Sequence, residues 1–353
     1  MHKIAVVATL VLATGAVGST HTGASSTPAA SCLPSWRLVK TPRVGIGEFT
    51  AAAATSPKDA WVVGDSFGGD FALIEHWNGS GWNVAWNPDF ALGGLKDVAA
   101  TSATDAWAVG GGDSTSLVGH WDGRRWTRVP IQGAKTPLYG VTALSAHDVW
   151  AVGDGVIMHW DGARWKRVAS PRDATLNDVA AISSSDVWAV GTQNDGLFTM
   201  HWDGHRWHSF PGPNVGDQTS WLTGVAVVST NNVWAVGESQ SGLSIRGPVV
   251  YHWNGRHWKA AEEPSGGPIN GIMARSATDI WAVAWDDPLL GGGGTTIDRW
   301  NGKSWHVGVN VRFRYLAAIA SDKRPNGLWA VGSTGDPNGY LPRVKPLVQR
   351  YGC

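Results

Sequence analysis

Residues 140–168 read GVTALSAHDVWAVGDGVIMHWDGARWKRV. Four runs of strand-forming residues, GVTALS, VWAVG, VIMHW and RWKRV, are separated by the polar turn AHD, a short loop and the pair Asp161-Gly162. Asp-Gly between apolar runs is a hairpin signal, because a tight primed turn needs positive φ at both central residues. No segment of ten or more residues shows helical periodicity with caps, so the stretch reads as four consecutive antiparallel strands.

The same phrase recurs along the chain. DAWVVG at Trp61 returns around Trp107, Trp150, Trp188, Trp234, Trp281 and Trp329, at spacings of 38 to 48 residues. Seven units of four antiparallel strands predict an all-β fold, a seven-bladed β-propeller. The first strand of each unit is rich in small residues (AAAATS, VAATS, VTALS), as the crowded axis requires, and the tryptophans fall on the outer strands, where widening gaps need large side chains.

The hairpin phrase itself occurs six times, as in GHWDGRRW and MHWDGARW, but its seventh copy stops at VQRYGC. The seventh unit thus lacks a fourth strand, and CLPSWRLVKTP at 32–42 supplies one: Trp36-Arg37-Leu38-Val39 matches Trp165-Lys166-Arg167-Val168. Cys32 and Cys353, the only cysteines, then flank the turn that the other blades make covalently, and a disulfide is expected between them.

The N-terminus has a basic residue at Lys3, an apolar run of 14 residues from Ile4 to Val17, and then small residues. That run is too short to span a bilayer and reads as a secretion signal over 1–24, followed by a flexible leader over 25–31 and the propeller over 32–353. A secreted, extracellular protein is expected. Basic and acidic residues balance at 28 each. Nucleic-acid binding, which needs a clustered basic excess, is disfavoured. No membrane span is expected, and the chain is read as a monomer.

In these repeats the chain resembles secreted bacterial β-propellers with tryptophan-rich repeats, relatives by architecture of kelch, tectonin and WD-repeat proteins. Its SxxDxWAVG…HWDGxxW pattern lacks kelch's double glycine and the sialidase-type SxDxGxTW box, so neither chemistry is implied. The resemblance to WD-repeat blades implies that the recurrent His76, His120, His159, His201 and His252 are structural, linked to the Ser and Asp of SxxD, such as Ser102 and Asp105.

What the blade does not demand points to a site. Trp86, Trp221 and Trp285 are off-pattern and fall in connections that emerge on one face, the usual seat of recognition. Where the first strands begin stand Thr50, Lys96, Asp97, Tyr139, Asn177, Asp178, Thr223, Asn270, Arg314 and Tyr315, predicting a polar, aromatic, partly acidic mouth. The connection from the second to the third strand is shortest in unit 3, so the rim should be low there.

A binding module for an extracellular glycan, cell-wall polymer or protein is the first expectation, through one pocket on this face. The alternative is a hydrolase or lyase using Asp97 and Asp178 across the mouth, where carboxylate spacing would decide the chemistry. Loop aspartates Asp65, Asp154, Asp286 and Asp287 lack the spacing of a calcium loop. No metal or cofactor is expected.

Overall fold

The computed structural model describes residues 34–42, 45, 47–66, 71–85, 93–112, 114–211, 219–241, 245–264, 266–286, 294–312, 314–334 and 344–352. They form twenty-eight strands and no helix. The strands make seven four-stranded antiparallel sheets. Six contain consecutive strands, beginning at Gly47, Gly94, Leu138, Ala174, Thr219 and Ile269. The seventh joins Arg314–Ser321, Leu328–Thr334 and Lys345–Gly352 to Ser35–Val39, so the strand from the start of the chain is its outermost member.

At this seam Ser35 faces Gly352 and Trp36 faces Tyr351. The Arg37 guanidinium donates to the Gly352 carbonyl at 3.0 Å. Both cysteines lie outside the described residues, as do the signal and leader segments.

The core lies in the gaps between blades, and one aromatic pair recurs in all of them. The second-strand Trp of each blade meets the fourth-strand Trp of the next edge to face, as in Trp61–Trp126 at 5.1 Å and 90° and Trp107–Trp165 at 5.6 Å and 83°. Such pairs gain about 1 kcal/mol beyond area burial. Between blades 6 and 7 the partner of Trp281 is Trp36, at 6.3 Å and 74°. The N-terminal strand therefore fills the packing role of a fourth strand as well as its hydrogen-bonding role.

The recurrent histidines are part of this frame. His76 stacks on Trp61 at 4.0 Å and places Nε2 2.6 Å from Asp59 Oδ1. His120, His159 and His201 repeat both contacts with Asp105, Asp148 and Asp186, while His252 meets Asn232. In blade 6 Arg299 replaces the histidine, bonding Asp279 at 2.8 Å and standing over Trp281. The expected serine link differs. Ser102 Oγ accepts from the Thr104 amide inside the turn, and Thr101, the residue before it, donates to Asp105 instead. A hydroxyl two residues ahead of an amide closes a local turn more readily than it reaches a neighbouring strand.

Candidate functional site

Each first strand carries a β-bulge toward its start, between Phe49 and Ala51, Leu95 and Asp97, Leu138 and Gly140, Leu176 and Asp178, Leu222 and Gly224, Ile269 and Gly271, and Leu316 and Ala318, and all but the last have a second register shift beside the turn. The residue before each bulge is a buried Phe, Leu or Ile that anchors the strand in a blade gap. The extra residue leaves the ladder, and a bulge re-aims its side chain. The seven bulged residues are Thr50, Lys96, Tyr139, Asn177, Thr223, Asn270 and Ala317, and all seven line one axial cavity of about 250 Å³.

Several of these side chains also tie the ring together. Thr50 Oγ1 donates to the Leu95 carbonyl of the next blade at 2.9 Å, and Asn177 Nδ2 to Leu222 at 2.7 Å. Thr223 repeats the contact to Ile269 at 2.5 Å and Asn270 to Leu316 at 2.9 Å. Lys96 instead places Nζ 2.9 Å from Asp65 Oδ2 of blade 1.

Asp97 and Asp178 occupy the position after the bulge in blades 2 and 4. Asp97 Oδ1 accepts from the Val98 amide at 2.8 Å and Oδ2 from the Val141 amide of blade 3 at 2.7 Å. Asp178 does the same with Val179 at 2.7 Å and Val225 of blade 5 at 2.8 Å. Burial pushes both acids above the usual carboxylate range, and for Asp97 the neighbouring charge of Asp178 adds to it. Each carboxylate is thus a clamp between blades, with both oxygens engaged by backbone. Blade 3 has Gly140 at the same position, where a Cβ would stand 2.8 Å from the Asp178 Cα. No side chain fits there.

Of the residues expected at the mouth, Thr50, Lys96, Asp97, Tyr139, Asn177, Asp178, Thr223 and Asn270 line the cavity together. Arg314 and Tyr315 do not; the seventh blade presents Ala317 instead. Ser321 pairs with the residue before Trp329, the place Ala54 holds in blade 1, so it follows the bulge more closely than Ser56 does and the serine spacing of the other blades does not carry over. The buried Leu316 was the signal that would have found the bulge. Tyr315 lies apart, edge to face with Trp285 at 6.5 Å, its hydroxyl pushed to a higher pKa by burial and by the charges of Glu48 and Glu238. Trp221 and Trp285 lie within the strands Thr219–Ser229 and Asp279–Asp286 rather than in connections, and neither lines the cavity; Trp221 is partly exposed opposite Glu238. Trp86 lies outside the described residues.

No family model and no curated protein sequence matches the chain. Among solved structures it is similar to YCF48 bound to D1 peptide, at 16% identity and a TM-score of 0.64, covering 90% of this chain and 97% of that one. It is also similar to U3-55K, at 11% identity and 0.64 over 90% and 98%, and to the WD40 β-propeller domain of Doa1, at 11% and 0.63 over 91% and 97%. At these identities the likeness is one of fold: a seven-bladed propeller with WD40-like neighbours. Among the described residues no helix is long and apolar enough to cross a membrane.

Proposed function

We propose that this protein is a secreted, non-catalytic binding module that seats a segment of another protein at the axial mouth. One observation carries the reading. The scaffold positions repeat from blade to blade, whereas the seven bulge positions carry five residue types, with Lys96, Tyr139 and Ala317 each occurring once, around one cavity of about 250 Å³, which suits one ligand in one orientation. The recurrent histidines are engaged within the blades, and Asp97 and Asp178 hold backbone amides across blade gaps, which favours recognition over carboxylate chemistry. A side chain or an extended terminus matches this volume better than a polysaccharide does, and one neighbour of the same fold was solved with a peptide. Export rests on the N-terminal sequence.

The test is a peptide-display selection and a glycan array run on the same mature protein. A selected peptide should lose at least tenfold in affinity on Tyr139→Ala, with the thermal midpoint little changed. Retention of glycans alone, or peptide binding indifferent to Tyr139→Ala, would refute the reading.

A further inference from the structure

Blade 3 carries a second concavity. Its strands Asp148–Gly153 and Val156–Trp160 are joined by Asp154 and Gly155 alone, so no wall rises there. Gly155 has φ +63°, and a Cβ on it would stand 2.8 Å from the Arg172 carbonyl oxygen, so the turn presses against the segment leading to blade 4. Between these segments and residues 133–136 opens a groove of about 470 Å³, lined among others by Ala134, Lys135, Val156, Arg167 and Arg172.

Its charge is lopsided. The Arg167 guanidinium donates to the carbonyls of Gly133 and Gly155, each at 2.8 Å, which fixes the cation without neutralising it. Lys135 and Arg172 are exposed, and their side chains have no hydrogen bond or ion pair among the described residues. The one acid in the lining, Asp154, accepts from the Thr175 hydroxyl at 3.1 Å. Three cations therefore converge on a concave surface floored by Ala134 and Val156.

We propose that this groove binds an acidic stretch of a partner polypeptide, its Asp or Glu carboxylates meeting Lys135 and Arg172 and its aliphatic carbons resting on Ala134 and Val156. Charge-assisted hydrogen bonds to carboxylates are the strong ones available to such cations. The chain's zero net charge supplies no long-range field to gather a polyanion, so the short range of the groove sets the size of the ligand. The groove and the axial mouth share no lining residue.

The experiment measures fluorescence anisotropy of a labelled Ala-Glu hexapeptide, its Ala-Gln counterpart and a sulfated oligosaccharide against the mature protein. The Glu peptide should bind saturably and weaken with salt, the Gln peptide should not bind, and the Lys135→Glu/Arg172→Glu double variant should lose at least tenfold. Arg256→Glu, in a hairpin turn of blade 5, should leave binding unchanged, and the two exposed substitutions should leave the thermal midpoint in place. Absence of saturable Glu-peptide binding, binding indifferent to the double variant, or preference for the sulfated oligosaccharide overturns the proposal. Tyr139→Ala, which tests the axial mouth, should not alter this affinity.

Discussion

Replacing Glu75 by Met should stabilise the protein, and more so as the pH rises. Glu75 lies in the third strand of blade 1, Ala72–Trp77, fully buried, with neither carboxylate oxygen hydrogen-bonded. Alternation places it on the strand face of Leu73 and Trp77, which pack against Trp329, Val331 and Val348 of blade 7. Burial raises its pKa from the ordinary 4.5 to about 8. Between those two values the folded state holds a proton that the unfolded chain has released, so stability falls as pH rises, by about 1.4 kcal/mol per pH unit. The penalty is absent below pH 4.5, roughly 3 kcal/mol near pH 7 and approaches about 5 kcal/mol above pH 8.

Blades 3 and 4 carry the buried Met158 and Met200 one residue before their histidines, where blade 1 has Glu75, so the position accepts that side chain. Denaturant unfolding followed by tryptophan fluorescence at pH 5, 7 and 9 should show Glu75→Met above wild type by a margin that widens across the series. A margin that is constant with pH, or a variant less stable than wild type at pH 9, would refute the reasoning.

Two further outcomes are expected. Mass spectrometry of protein purified without reductant should find Cys32 joined to Cys353, and Cys32→Ser with Cys353→Ser should lower stability by at most about 5 kcal/mol, since strain and residual unfolded structure reduce the entropic effect; free thiols would contradict this. Ala317→Asn should add the missing contact from blade 7 to the Phe49 carbonyl, as Asn270 makes to Leu316, and raise the thermal midpoint by the equivalent of about 1 kcal/mol. An unchanged or lower midpoint would place that carbonyl out of reach.

The ring and its seam were legible because they are written many times over: a turn or tryptophan misread in one blade is corrected by six others. Trp36 could be assigned to a fourth strand from its match to Trp165 alone, and its contact with Trp281 follows the same rule. The mouth was legible in six blades and missed in the seventh, where Ser321 follows the bulge more closely than the serines of the other blades and breaks the register that counting relies on. The roles of Asp97 and Asp178 were not legible. An aspartate beside an axis reads equally as an acid catalyst or as an acceptor, and only the amides of Val141 and Val225, brought from neighbouring blades, decide what its oxygens touch. The groove of blade 3 was visible only as a short connection; its cations come from three separate segments that folding gathers.

The pairing of Ser35–Val39 with Lys345–Gly352 also sets an order of events. Arg37 and Gly352 are 315 positions apart. Closing so long a loop costs roughly 3 kcal/mol more in chain entropy than closing a hairpin, unless intervening structure has already drawn the ends together. Six sheets pair consecutive strands, whereas Ser35–Val39 has no partner until Lys345–Gly352 has been made. A chain halted before residue 345 would therefore leave uncovered the face of Trp281 against which Trp36 and Tyr351 pack.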